Sequence, residues 1–148
     1  MLKIYMDTCC YNRLFDDQVQ DKIHVESEAI MAIFYRCENK MWELFGSEVI
    51  EYELSNNTDS IKRLKAQTLY KIAKEFIVIN SEIEKRALEL AKFGLKTFDS
   101  LHLASAEYIK VDTLLTVDIE FIKKAAKSNS LIKVQNPVNW LMEAIEDE

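Results

Sequence analysis

The feature that most constrains this chain is an alternation of short apolar runs with stretches of helical spacing. The runs are Leu2 to Met6, Trp42 to Phe45, Phe76 to Ile79, Leu114 to Val117 and Ile132 to Val134. Such runs read as buried strands, and the stretches between them as amphipathic helices. From Glu26 to Glu38, for example, Ala29, Ile30, Ile33, Phe34 and Cys37 recur on one helical face. Ser47 stands where it would cap a helix through Glu51, Glu53 and Leu54, and Thr97 where it would cap FDSLHLASAEYI. Further helices are expected over 59–74, from Ser81 to about Phe93 with Gly94 as the stop, after Asp118 and after Pro137. TCCYNRLFDDQ, behind the first run, reads as polar and irregular. Strands that alternate with helices predict a three-layer α/β/α sandwich around a small, mainly parallel sheet.

A chain of 148 residues has the size of one domain, and a single domain over 1–148 is expected. Two glycines and one proline leave no Gly-rich phosphate loop and no flexible linker. No apolar run approaches the roughly 20 residues that span a bilayer. The N-terminus MLKIYMD lacks the segments of a signal peptide, so no membrane association and a cytoplasmic location are expected. Three cysteines, two of them adjacent at Cys9 and Cys10, suit neither a disulfide framework nor zinc spacing and read as reduced packing residues.

Sites in parallel sheets form at the carboxyl ends of strands. Asp7 and Asp118 fall at such ends, and Glu53 and Asp99 are expected near the starts of helices on the same side. Carboxylate oxygens are ligands of hard cations such as Mg²⁺ or Mn²⁺. Two carboxylates about 5 Å apart repel by about 3 kcal/mol at an effective dielectric near 20, so four together call for a counter-charge. Each acid also has an ordinary alternative: Asp7 as a turn residue, Glu53 as an exposed helical acid like Glu48 and Glu51, Asp99 at the positive end of its helix, Asp118 as an N-cap.

The motifs KIYMDT, SEVIEYEL, FDSLHLASA and LLTVD, carrying Asp7, Glu53, Asp99 and Asp118 in that order, resemble the PIN domains, a family that includes the ribonuclease toxins of bacterial toxin–antitoxin pairs. The resemblance runs from Lys3 to about Phe121, with one departure: Cys9 stands where many members carry a small polar residue. It implies an α/β/α fold, an Mg²⁺- or Mn²⁺-dependent endoribonuclease with RNA as substrate, and frequent homodimers. It leaves open an antitoxin-like protein partner and a PIN-like binding module of weak catalytic power.

A formal charge of −6 ordinarily disfavours nucleic acid, but setting aside the four candidate ligands takes it to −2. Lys62, Arg63 and Lys65, in an acid-free stretch, are either a solvated face or an RNA-tracking stripe, and Arg13 is a further backbone-contact candidate. No RNA-binding aromatic motif stands out, so base stacking has no support in the sequence. His102, three residues after Asp99, is expected to support the site by a hydrogen bond rather than act as a base, and His24 to lie on the surface.

Overall fold

The structure, a computed structural model, describes residues 1–146. It is a mixed α/β domain in which helices flank a five-stranded, all-parallel sheet. In chain order the elements are β1 (Lys3–Met6), α1 (Thr8–Arg13), α2 (Asp21–Glu38), β2 (Glu43–Ser47), α3 (Glu48–Ser55), α4 (Ser60–Tyr70) and β3 (Glu75–Ile77). There follow α5 (Ser81–Ala91), α6 (Thr97–Tyr108), β4 (Thr113–Leu115), α7 (Ile119–Ala126), β5 (Lys133–Gln135) and α8 (Pro137–Glu146).

The strand order β3-β2-β1-β4-β5 makes β1 the centre of the sheet. Ile4 pairs with Leu44 on one side and Thr113 on the other, and Met6 pairs with Leu115. Ile4, Tyr5 and Met6 are buried without remainder, as a strand covered by helices on both faces requires. From β1 the chain winds outward through β2 and β3, then returns to β4 on the opposite side. The crevice between β1 and β4 is therefore the topological switch point, where ligands of open parallel sheets bind. Asp7 leaves β1 at that crevice, its N–H donating to Leu115 O of β4 at 2.9 Å.

Several boundaries differ from the sequence reading, each for a local reason. TCCYNR is helical, because Thr8, Cys10 and Tyr11 are buried and tertiary packing outweighs a polar pattern. Helix α2 starts at Asp21, whose charge lies at the positive end of the helix dipole. Helix α4 stops at Tyr70, and beyond it Lys74 N–H donates to Leu44 O, drawing the chain into β3. Thr97 is not a cap. Lys96 occupies that position with no side-chain hydrogen bond, and Thr97 is the first helical residue.

Other local rules held. Ser47 caps α3, its Oγ accepting from Ile50 N–H at 3.1 Å, while Val49, Ile50 and Leu54 form the buried face. Gly94 takes φ +95, the left-handed conformation glycine tolerates after a helix. Gly46 is needed for space, since a Cβ there would lie 2.3 Å from the Tyr70 hydroxyl oxygen. The core joins the sheet to α2 and α8 through Trp42 and Trp140, packed edge to face at 5.0 Å, with the Arg36 guanidinium over Trp42. No helix among the described residues is long and apolar enough to cross a membrane.

Candidate metal centre

Asp7 follows the central strand directly, so the rigidity of β1 fixes its position. It stands at the N-cap of α1 yet makes no capping bond. Its Oδ2 instead accepts from Thr116 Oγ1 at 2.8 Å and from Cys9 Sγ at 3.4 Å. Thr116 does two things at once, because its Oγ1 also accepts from Asp118 N–H at 3.1 Å. One hydroxyl thus ties the ends of β1 and β4 together and sets two of the four candidate acids.

Glu53 is not near the start of its helix; it is the sixth residue of α3, on the second turn. Its Oε1 accepts from Thr8 Oγ1 at 2.8 Å and faces His102 Nε2 at 2.5 Å. The same Nε2 lies 3.3 Å from Asp7 Oδ1. Asp7, Glu53 and His102 each present a ligand-type atom, all within 4.8 Å of one another. A lone pair on Nε2 would repel the Glu53 oxygen at that separation, so Nε2 carries a proton and acts as donor. That leaves carboxylate oxygens as the ligand-type atoms that a divalent cation could use.

His102 is fully buried and held from behind. Its Nδ1 lies 2.6 Å from the Tyr5 hydroxyl, which lies 2.7 Å from Ser47 Oγ. The relay Ser47–Tyr5–His102–Glu53 links the cap of α3, the middle of β1 and a turn of α6 to the carboxylate of α3. Burial disfavours a charged imidazole, but the Asp7 charge and the Glu53 hydrogen bond outweigh it and raise the His102 pKa above its ordinary value. For Glu53, burial pushes upward and the His102 and Thr8 contacts push harder downward, leaving its carboxyl below the usual value. The proton therefore resides on the histidine side of the pair.

Asp99, the third residue of α6, is half-buried, and burial together with the charges of Asp7 and Asp118 raises its carboxyl to about 6. Asp118 is the N-cap of α7, its Oδ1 accepting from Glu120 N–H at 3.0 Å and Phe121 N–H at 3.2 Å. Capping and charge coexist there, since the same carboxylate acts on Asp99. Among the described residues Asp7, Glu53 and His102 form the compact group, while Asp99 and Asp118 lie outside it and Asp99 feels the other acids through charge.

The basic candidates fare differently. Arg13 is 19% exposed and its guanidinium is held by Asp16 at 3.1 Å and by buried Glu26 at 3.3 Å, so its charge serves the α1–α2 junction. Lys62 and Lys65 are exposed on α4, Lys65 ranging over the Phe15 ring, while Arg63 donates to Asn57 O. His24 is exposed beside Glu28, and all three cysteines are free thiols. Thr8, Thr116 and Tyr5 were not singled out from sequence. The available signal was position: Thr8 follows Asp7 in MDT, and Thr116 precedes Asp118 in LTVD.

Comparison with curated proteins finds no match. Among solved structures the chain is similar to VapBC2 from Rickettsia felis, crystallised bound to a DNA fragment from its promoter, at 16% identity and TM-score 0.58, covering 90% of this chain and 98% of that one. It is also similar to PAE2754 from Pyrobaculum aerophilum, at 13% identity and TM-score 0.57, covering 99% and 97%. Identities this low speak for the fold alone. The PIN domain family model matches residues 4–127. With its four acidic motifs, its all-parallel sheet and that match over most of its length, the chain belongs to the PIN domain family.

Proposed function

We propose that this protein is a divalent-metal-dependent endoribonuclease that hydrolyses RNA phosphodiester bonds at the cluster of Asp7, Glu53, Asp99 and Asp118. The observation that carries the reading is the convergence of Asp7 and Glu53 on one buried N–H, with a third acid, Asp99, raised to about 6 by its neighbours. A cluster of like charges that costs stability is kept where it serves binding or chemistry. Mg²⁺ or Mn²⁺ held by the four carboxylates would neutralise charge on the reacting phosphate and lower the pKa of a water. The protein's own part is positional. Thr116 orients Asp7, Thr8 and His102 orient Glu53, and the cap of α7 orients Asp118. His102, with its proton already facing Glu53, has no free base site toward solvent and is a positioning residue.

Incubation of a mixed RNA pool with the parent and with Asp7→Asn, in Mn²⁺, in Mg²⁺ and in EDTA, tests the reading. Cleavage in metal that is lost in EDTA and in the variant is the expected result; cleavage indifferent to both would remove the site from the reaction. Exposed Lys62, together with Arg63 and Lys65, is suited to track the RNA backbone. Reversing all three charges is expected to weaken RNA binding across sequences and to flatten its salt dependence, with Mn²⁺ affinity unchanged in calorimetry. An unaltered salt slope would return α4 to a solvated face.

The second reading, a toxin restrained by an antitoxin-like protein, draws on one further observation. A groove of about 1040 Å³ runs between α2 and α4, lined by Leu14, Phe15, Met31, Leu64, Leu69 and Ile72. An amphipathic helix of a partner would fit it. Co-expression with any small neighbouring reading frame, followed by pull-down and a cleavage assay, tests that reading: a stable complex with suppressed cleavage supports it.

A further inference from the structure

Tyr52 and Phe98 are far apart in sequence and meet at the protein surface. Their rings stack, with centroids 5.6 Å apart and planes inclined by 28°. Apolar rings normally gain by burial, yet Tyr52 remains 55% exposed and Phe98 40% exposed. Their position is the telling point. Tyr52 immediately precedes Glu53 on α3, and Phe98 immediately precedes Asp99 on α6. Each ring therefore belongs to a residue whose Cα is about 3.8 Å from that of a candidate ligand. Exposed Lys96, at the N-cap of α6, adds a cation two residues before Phe98.

We infer that the Tyr52–Phe98 pair is a stacking platform that holds one unpaired base of the RNA strand next to the scissile phosphate. Bases stack on aromatic faces regardless of sequence, and only a strand free of its complement can present an unstacked base to such a face. A platform one residue from two of the site's acids would fix the register of the strand on the carboxylates through a neighbouring nucleotide. The two rings support each other, which limits the ordering cost when a base arrives. The inference rests on the ribonuclease reading, and the acidic cluster argues for it over a protein surface: a nucleotide brings its phosphate to the cation that the acids require.

The test is equilibrium binding, by fluorescence anisotropy in Mn²⁺ with every protein carrying Asp7→Asn so that the strand stays uncut, of a short labelled single-stranded RNA, of the same strand annealed to its complement, and of strands with one abasic position each. Parent, Tyr52→Leu, Phe98→Leu and Tyr52→Trp are compared. Leucine keeps apolar bulk at half-exposed positions and removes the π-face, and Tyr52→Trp enlarges it. Each leucine variant is expected to bind the single strand about tenfold more weakly, with Tyr52→Trp restoring or exceeding parental affinity. Duplex binding should respond far less. An abasic site at one position should erase the difference between parent and leucine variants.

Equal affinity of parent and folded leucine variants for the single strand overturns the platform, as does an abasic scan with no sensitive position. A parent that self-associates through these rings, sedimenting as a dimer where the leucine variants are monomers of unchanged RNA affinity, assigns the pair to a second copy and also overturns it. Cleavage of the same strands is scored separately, with Asp7 intact. Ring-dependent binding without cleavage refutes the nuclease reading and leaves the platform standing; cleavage with identical KM in parent and leucine variants refutes the platform alone.

Discussion

In EDTA at neutral pH, Asp99→Asn is expected to melt at or above the temperature of the parent, and to lose most of the upward shift that Mn²⁺ gives the parent. The folded carboxyl titrates at about 6, above its ordinary 3.8, because of burial and the charges of Asp7 and Asp118. A raised carboxyl favours the folded state when protonated. Its contribution is fully present below about pH 4 and is lost as pH rises through 6, so at neutral pH the charge is a net cost that asparagine removes. A cation that binds only the folded protein stabilises by about 2.7 kcal/mol at 100 times its dissociation constant, which is about 5–10 °C for a domain of this size. The parent should show that shift and the variant should lose most of it. If Asp99 merely complements the dipole of α6, the substitution instead lowers both melting temperatures equally and Mn²⁺ moves neither.

A larger loss is expected at His102. His102→Ala removes a fully buried ring and strips the Tyr5 hydroxyl, Glu53 and Asp7 of a shared partner, at a cost on the order of 3 kcal/mol in urea unfolding. The pH dependence separates packing from charge. The folded pKa of His102 is raised, so its electrostatic contribution is fully present below about pH 6.5 and fades as pH rises through the folded value. The gap between parent and variant should therefore be widest in mild acid and narrow toward alkaline pH. A gap that stays constant would mean that the ring serves as volume alone.

How much of this was legible in the sequence depends on the kind of information each feature carries. The parallel sheet was readable because strands covered on both faces are continuous apolar runs, as Ile4 to Met6 and Leu114 to Leu115 are. The four acids could be named as candidates because each sits in a short motif and the four motifs, in that order, resemble those of PIN domains. Helix α1 was missed because its helicity comes from burying Cys10 and Tyr11 beneath other elements, and no periodicity in six residues reports that. The same holds for the relay through Tyr5: its hydroxyl meets Ser47, 42 positions away, and His102, 97 positions away. Arg13 looked available because its partners were hidden; Asp16 is a neighbour, but Glu26 reaches it only once α2 folds back on α1. Tyr52 and Phe98 gave no aromatic motif because the pair exists only where α3 meets α6.

The central claim is that the four carboxylates work as one site, and rates of RNA cleavage by single variants test it most directly. Asp7→Asn, Glu53→Gln, Asp99→Asn and Asp118→Asn remove one charge each with little change of shape. Asparagine at 118 is as good a helix cap as aspartate, so that variant keeps α7 intact while losing the charge. In saturating Mn²⁺ each should cleave about a hundredfold more slowly or worse, and the double variant Asp7→Asn, Asp99→Asn should be no slower than the poorer of its two parents, because groups that act as a unit do not add. Folded variants that cleave at the parental rate, Asp118→Asn above all, or losses that multiply in the double variant, would contradict it.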